Sequence, residues 1–182
     1  MIGSDRMHVA RPEGGERKDY LDSPSADGME LAERVRQLED DRAIRDLKHE
    51  YCYRLDDRDW DGTIELFTPD TVLDYGGLGT YEGRDGVRKF AEGFIAESLE
   101  ATAHAVHNGV VDVDGDEATG RWYVTSFITL ADGTSGVRMG EYEEQYRRCD
   151  DGEWRIASLW LRFRYSADYD DGWPDLRTHD TD

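Results

Sequence analysis

The chain has 182 residues, enough for one domain with a single core and extensions at its ends. Asp and Glu number 42 against 22 Lys and Arg, a net charge of −20, which repels phosphate backbones and anionic lipid headgroups and argues against nucleic-acid or membrane partners. Only three of the basic residues are lysines, and this aspartate-rich, lysine-poor balance fits a salt-adapted surface, so a halophilic setting accounts for the acidity without a partner.

Residues 1–28 are rich in Gly, Pro, Ser, Asp and Arg without apolar periodicity, and are expected to form a loosely attached arm. From Met29 the pattern turns helical, with Leu31, Val35, Leu38, Ile44, Leu47, Tyr51 and Leu55 spaced by threes and fours. The run Glu39-Asp-Asp-Arg42 is a place where this helix would bend or break. Trp60, Ile64 and Phe67 mark a short second helix stopped by Pro69, and Thr71–Tyr75 a short strand ended by Gly76-Gly77. Asp85 can cap a third helix with Val87, Phe90, Ala91 and Phe94 on its inner face. Four strands follow, at 103–113, 117–130, 137–148 and 153–165, separated by Asp-Gly turns. Helices first and a strand meander after them predict an α+β domain over 29–165, a curved antiparallel sheet with helices on its concave side. An acidic tail, 166–182, closes the chain; its Tyr169, Trp173 and Leu176 could bury against a pocket mouth or another subunit.

Alternation assigns faces within the strands. Along 117–130 the even positions Ala118, Gly120, Trp122, Val124, Ser126, Ile128 and Leu130 are the more apolar and are expected inward, with Ser126 the polar exception. In 103–113, His104 shares a face with Val106, Asn108 and Val110, and His107 takes the other unless a bulge intervenes. An imidazole on the inner wall of a pocket titrates near neutrality and can shuttle a proton. A buried, hydrogen-bonded core histidine is the plainer reading. Tyr51 and Asp56 lie ~140° apart around an ideal helix, so both reach one cavity only if the helix unwinds near Leu55 or the cavity is broad. His104 and His107 on opposite faces are poor partners for one metal, and Cys52 and Cys149 are too few for a zinc site or a disulfide framework. No apolar run approaches the ~20 residues of a membrane span and none follows Met1, so a cytoplasmic protein is expected. Arg162-Phe-Arg-Tyr165 could clamp a carboxylate, but pairing of its arginines with surface acids is the plainer expectation.

The set Ile44-Arg-Asp-Leu-Lys, Tyr51-x-x-x-Leu-Asp56, Trp60-Asp61, Phe67-x-Pro-Asp70, Tyr81-Glu-Gly-Arg, His104 and Thr119-Gly-Arg-Trp-Tyr123 resembles the SnoaL-like branch of the nuclear transport factor 2-like superfamily. Within that branch it is most similar to bile acid 7α-dehydratases and, more distantly, to scytalone dehydratases. The resemblance implies a cone-shaped α+β barrel with a deep apolar pocket, assembled as a dimer or trimer. It places a catalytic tyrosine on Tyr51, an aspartate on Asp56 and a catalytic histidine on His104, and matches Tyr75 to a pocket tyrosine. The family's second aspartate falls on Ser126, a departure, since a hydroxyl lacks the charge that orients an imidazole. Asp56 would supply that charge instead. Trp122 and Tyr123 are further candidates for substrate contact, although Trp122, with Trp154 and Trp160, reads first as sheet core. The function implied is a dehydratase-like lyase acting without cofactor or metal on a hydrophobic hydroxylated carbonyl compound with a steroid-like or polyketide-like ring. Isomerase, cyclase or hydrolase chemistry in the same cone, and small-molecule binding without turnover, are the alternatives.

Overall fold

The computed structural model describes residues 30–169. The helical arm of the fold is one unbroken 26-residue helix, α1 (Leu31–Asp56). The acidic run expected to interrupt it is bridged by ion pairs one turn apart, Asp41 to Arg45 at 2.7 Å and Arg42 to Asp46 at 3.5 Å. Asp40 from the same run is buried, where it accepts from the Trp154 indole at 3.1 Å and pairs with Arg148 at 2.6 Å. From Asp40 onward α1 packs inward, through Ile44, Lys48, Tyr51, Cys52 and Leu55.

A short helix, α2 (Trp60–Glu65), is capped by the Asp59 carboxylate. Strand β1 (Phe67–Asp74) starts earlier than its valine and leucine suggest and runs through Pro69. A tight turn at Gly76–Leu78 leads to β2 (Thr80–Glu82). Helix α3 (Gly83–Arg88) has Asp85 within its first turn, with no side-chain cap, and passes into a π-helical turn, Lys89–Ile95, and a last helical turn, α4 (Ala96–Ser98). The wider π turn sets Phe90 and Phe94 in a stack, ring centroids 5.7 Å apart.

Four long strands complete the sheet: β3 (Leu99–Asp114), β4 (Glu117–Leu130), β5 (Ser135–Arg148) and β6 (Trp154–Tyr169). Gly115, Gly133 and Gly152 make the intervening turns with φ of 64°, 87° and 84°, values that glycine adopts without a Cβ clash. The sheet order is β2-β1-β6-β5-β4-β3. The meander is antiparallel as expected, but β1 pairs with β6 in parallel, so the sheet is mixed. Strand β6 also runs to Tyr169, past the expected end at residue 165; the arm 1–28 and the rest of the tail lie outside the described residues.

The curved sheet wraps one face around the helices, and Ile44, Tyr51, Leu55, Phe67, Leu73, Phe90, Trp122, Tyr142, Ile156 and Leu159 share that core. Even positions of β4 do face inward, from Ala118 through Ser126. In β3 the phase changes at a bulge, where Asn108 (φ 54°) and Gly109 together oppose Trp122. Val111 and Val113, rather than Val110, therefore pack on the core. A Cβ on Gly109 would sit 2.1 Å from the Trp122 ring, so the bulge needs glycine there.

Candidate active site

Strand β3 is an edge strand, and where α1 ends beside it a backbone donor is left for the helix to satisfy. Asp56, the last residue of α1, does so: its Oδ2 accepts from the His104 backbone N–H at 2.7 Å. Its Oδ1 lies 2.6 Å from His104 Nδ1 and accepts from the Thr102 hydroxyl at 2.7 Å. Arg58, at a positive φ of 58°, pins the chain just beyond by donating to the Leu99 and Glu100 carbonyls. Burial alone would raise the Asp56 carboxyl, but the hydrogen bonds and attraction of His104, helped by Thr102, outweigh it and hold the group below its ordinary range. An ionised Asp56 fixes a proton on Nδ1 and leaves Nε2 as the free lone pair.

His104 is part of the wall of a cavity of about 250 Å3 between the sheet and the helices. Leu55, Phe90, Phe94, Ile95, Leu161 and Phe163 supply much of its apolar surface. Tyr51 from α1 and Tyr75 after β1 also line it, their hydroxyls 3.0 Å apart. Burial pushes both phenols well above their usual range, so each stays a neutral O–H and can donate at neutral pH. The angular problem on α1 is solved without unwinding. Tyr51 points into the cavity, whereas Asp56 stays outside it and touches the contents only through His104. Ser126, buried on β4, lines the wall directly opposite His104 in register, and its hydroxyl is 3.4 Å from the Arg138 carbonyl it donates to.

Two expected substrate contacts are absent from this wall. Trp122 is buried beyond it, donating from Nε1 to the Tyr146 hydroxyl at 2.9 Å and packing over the Gly109 bulge. Tyr123 follows the odd positions of β4 to the outer face, where the Arg164 guanidinium lies 5.0 Å from its ring and His107 5.9 Å away. Arg162 and Arg164 pair there with Glu141 at 3.0 and 2.6 Å, so these arginines hold an internal acid instead of facing the cavity. His104 and His107 lie on opposite faces, and among the described residues no three His, Cys, Asp or Glu side chains converge as a metal site. Burial raises the Cys52 thiol to about 11, which leaves it an inert core residue.

Sequence reasoning passed over Lys48 and Glu144. They form a fully buried ion pair below Tyr51 and Tyr142, with the ammonium 4.3 and 3.5 Å from those ring centres. Glu144 also accepts from the Tyr146 hydroxyl. The available signal was position: Lys48 falls between Ile44 and Tyr51 on the buried stripe, where a lysine needs a partner. Arg138 was passed over as well, although it shares the cavity wall with His104 and Ser126.

The SnoaL-like domain model matches residues 36–159. An uncharacterized protein of Mycobacterium tuberculosis H37Rv is 31% identical over 124 residues, covering 67% of this chain and 84% of that protein. A solved structure from Novosphingobium aromaticivorans, described as a candidate scytalone dehydratase, is 28% identical with a TM-score of 0.67, over 73% of this chain and 89% of that one. The fold alone is shared with a hexachlorocyclohexane dehydrochlorinase from Novosphingobium barchaimii, 22% identical, TM-score 0.71, over 75% and 94% of the two chains.

Proposed function

The chain belongs to the SnoaL-like domain family, and from that premise we propose that it is a dehydratase-like lyase removing water from a hydrophobic β-hydroxy carbonyl compound. The observation that carries this reading is the Asp56–His104 couple at 2.6 Å, its imidazole in the wall of an apolar cavity beside two protonated tyrosines. His104 Nε2 takes the proton on the carbon next to the carbonyl, and the C–H electron pair moves onto the carbonyl oxygen. Tyr51 or Tyr75 donates to that oxygen as its negative charge develops. The enolate then re-forms the carbonyl and makes the carbon–carbon double bond as the C–O bond to the hydroxyl breaks. The imidazolium returns its proton to the departing oxygen, which leaves as water. Ser126, across from His104, is placed to hold that hydroxyl. Asp56 keeps the imidazole in the right tautomer and offsets its transient charge. These steps use side chains of this protein alone, and the family likeness to a candidate scytalone dehydratase supports the reaction class.

At about 250 Å3 the cavity falls below the ~300–1,000 Å3 of pockets that hold drug-sized ligands. One or two rings suit it better than a steroid nucleus. The test is a panel of β-hydroxy-tetralones and β-hydroxy-cyclohexanones followed for enone or naphthol product. Conversion that His104→Ala lowers by ~100-fold or more supports the reading; turnover untouched by that change refutes the mechanism. An isomerase using the same base and donors would return a product of unchanged mass. The proposal includes a homo-oligomer of two or three copies, since Leu31, Val35 and Leu38 form an apolar row on α1 exposed at 72%, 43% and 71%. Light scattering on the purified protein measures that mass.

A further inference from the structure

His104, Ser126, Arg138 and Ser166 are successive partners across β3, β4, β5 and β6, and all four line the cavity. They make one polar row across an otherwise apolar chamber. Within it Arg138 is the one permanently charged side chain among the described lining residues, which include no carboxylate. Strands lie ~4.8 Å apart, so two steps of the sheet put Arg138 on the order of 10 Å from His104, about the reach of a small ring system.

We propose that Arg138 anchors a carboxylate on the substrate, so that the molecule is a hydroxylated carbonyl acid rather than a neutral ketone. This rests on the elimination reading only for what happens at the His104 end. The Arg138 side chain is 17% exposed, and its guanidinium spends three of its five N–H donors on the Val137 carbonyl at 3.1 Å, the Ala167 carbonyl at 3.2 Å and Asp168 at 2.6 Å. The two carbonyls fix its plane. Asp168, 58% exposed at the end of β6, is the carboxylate that balances it and the group an incoming acid would displace. A planar fork beside apolar walls matches a flat carboxylate. One guanidinium balances one such charge and leaves a phosphate dianion under-compensated, which selects the carboxylic acid.

Isothermal titration of the full chain with naphthoate and its neutral isostere naphthamide, at fixed pH and salt, tests this without turnover. The wild type should bind the acid at least about tenfold more tightly than the amide. Arg138→Gln should erase that preference while leaving the amide affinity within about twofold, and Arg138→Lys should restore part of it. Asp168→Asn, which leaves Arg138 in place, should tighten the acid and not the amide, and so gives an answer even if Arg138→Gln does not fold. His104→Gln should keep the preference, which separates this result from the fate of the elimination chemistry. Equal binding of acid and amide by the wild type, no binding of the acid, a preference that survives Arg138→Gln, or no change in Asp168→Asn would each overturn the assignment.

Discussion

Asp56 does three things with two oxygens, and each has a separate consequence. It closes the open edge of β3 through the His104 amide, it holds the Thr102 hydroxyl, and it orients the imidazole. Asp56→Asn keeps most of the shape but removes the charge that supports the imidazolium, so the proposed reaction should slow by ~10²–10⁴-fold while the fold persists. Stability separates the two roles. The folded carboxyl titrates below its ordinary value because the His104 and Thr102 contacts outweigh its burial. Its contribution is therefore full above the unfolded pKa of ~3.9 and is lost as pH falls through the lower folded value. Melting temperatures of wild type and Asp56→Asn should differ above about pH 5 and converge as the pH drops below about 4. A gap that stays constant to low pH would show that ionised Asp56 contributes nothing to stability. Tyr51→Phe removes one of two adjacent donors, and a loss of ~10²–10³ in kcat with little change in KM is expected if that hydroxyl meets the enolate.

Helix α1 shows how one element can be both floor and lever. Its inward stripe carries a lysine, and the ion pair of Lys48 with Glu144 is sealed at 0% exposure for both side chains. Removing one partner leaves a bare charge in the core, at a cost of about 3–5 kcal/mol. Lys48→Met should show that loss in urea denaturation, and Lys48→Met combined with Glu144→Gln should recover much of it, because the glutamine still accepts from Tyr146 without a charge. The same helix marks the boundary of what its sequence makes legible. Periodicity picks out Ile44, Tyr51 and Leu55, and alternation on β4 picks out Ser126, because burial repeats at a local period that a reader can count. The joining of Asp56 to His104 spans 48 residues; no local pattern encodes it, and the family resemblance supplied the candidate pair. Local rules also mislead where the chain departs from its period. The Asn108–Gly109 bulge exchanges Val110 for Val111 on the core, and nothing local to β5 marks Arg138 as a cavity residue before its strand is paired.

At the scale of the whole molecule, charge is the property most at odds with compactness. Even if every Lys and Arg paired with an acid, the net charge of −20 would remain as carboxylates repelling one another across the surface. Pairs such as Arg147 with Asp70 and Arg155 with Asp151 lie at the surface, where water and salt weaken each attraction. Salt weakens these attractions and the excess repulsion together, so the sign of its effect follows whichever is larger. The debt lies with the unpaired acids, because the attractions act at contact whereas the repulsion is summed over many charges. Shortening the Debye length from ~10 Å at 0.1 M to ~3 Å at 1 M cuts most strongly into that long-range sum. Sodium chloride raised from 0.1 to 1 M should therefore raise the melting temperature by roughly 5 °C, corresponding to one or two kcal/mol in a domain this size. Sucrose at matched osmolality separates screening from exclusion at the surface, since it favours the compact state without touching charge. A rise with sodium chloride well beyond that in sucrose identifies self-repulsion as the main strain on the fold. A flat or falling curve would mean that the arginine–acid pairs already balance the surface, and the salt-adapted reading of the composition would fail with it.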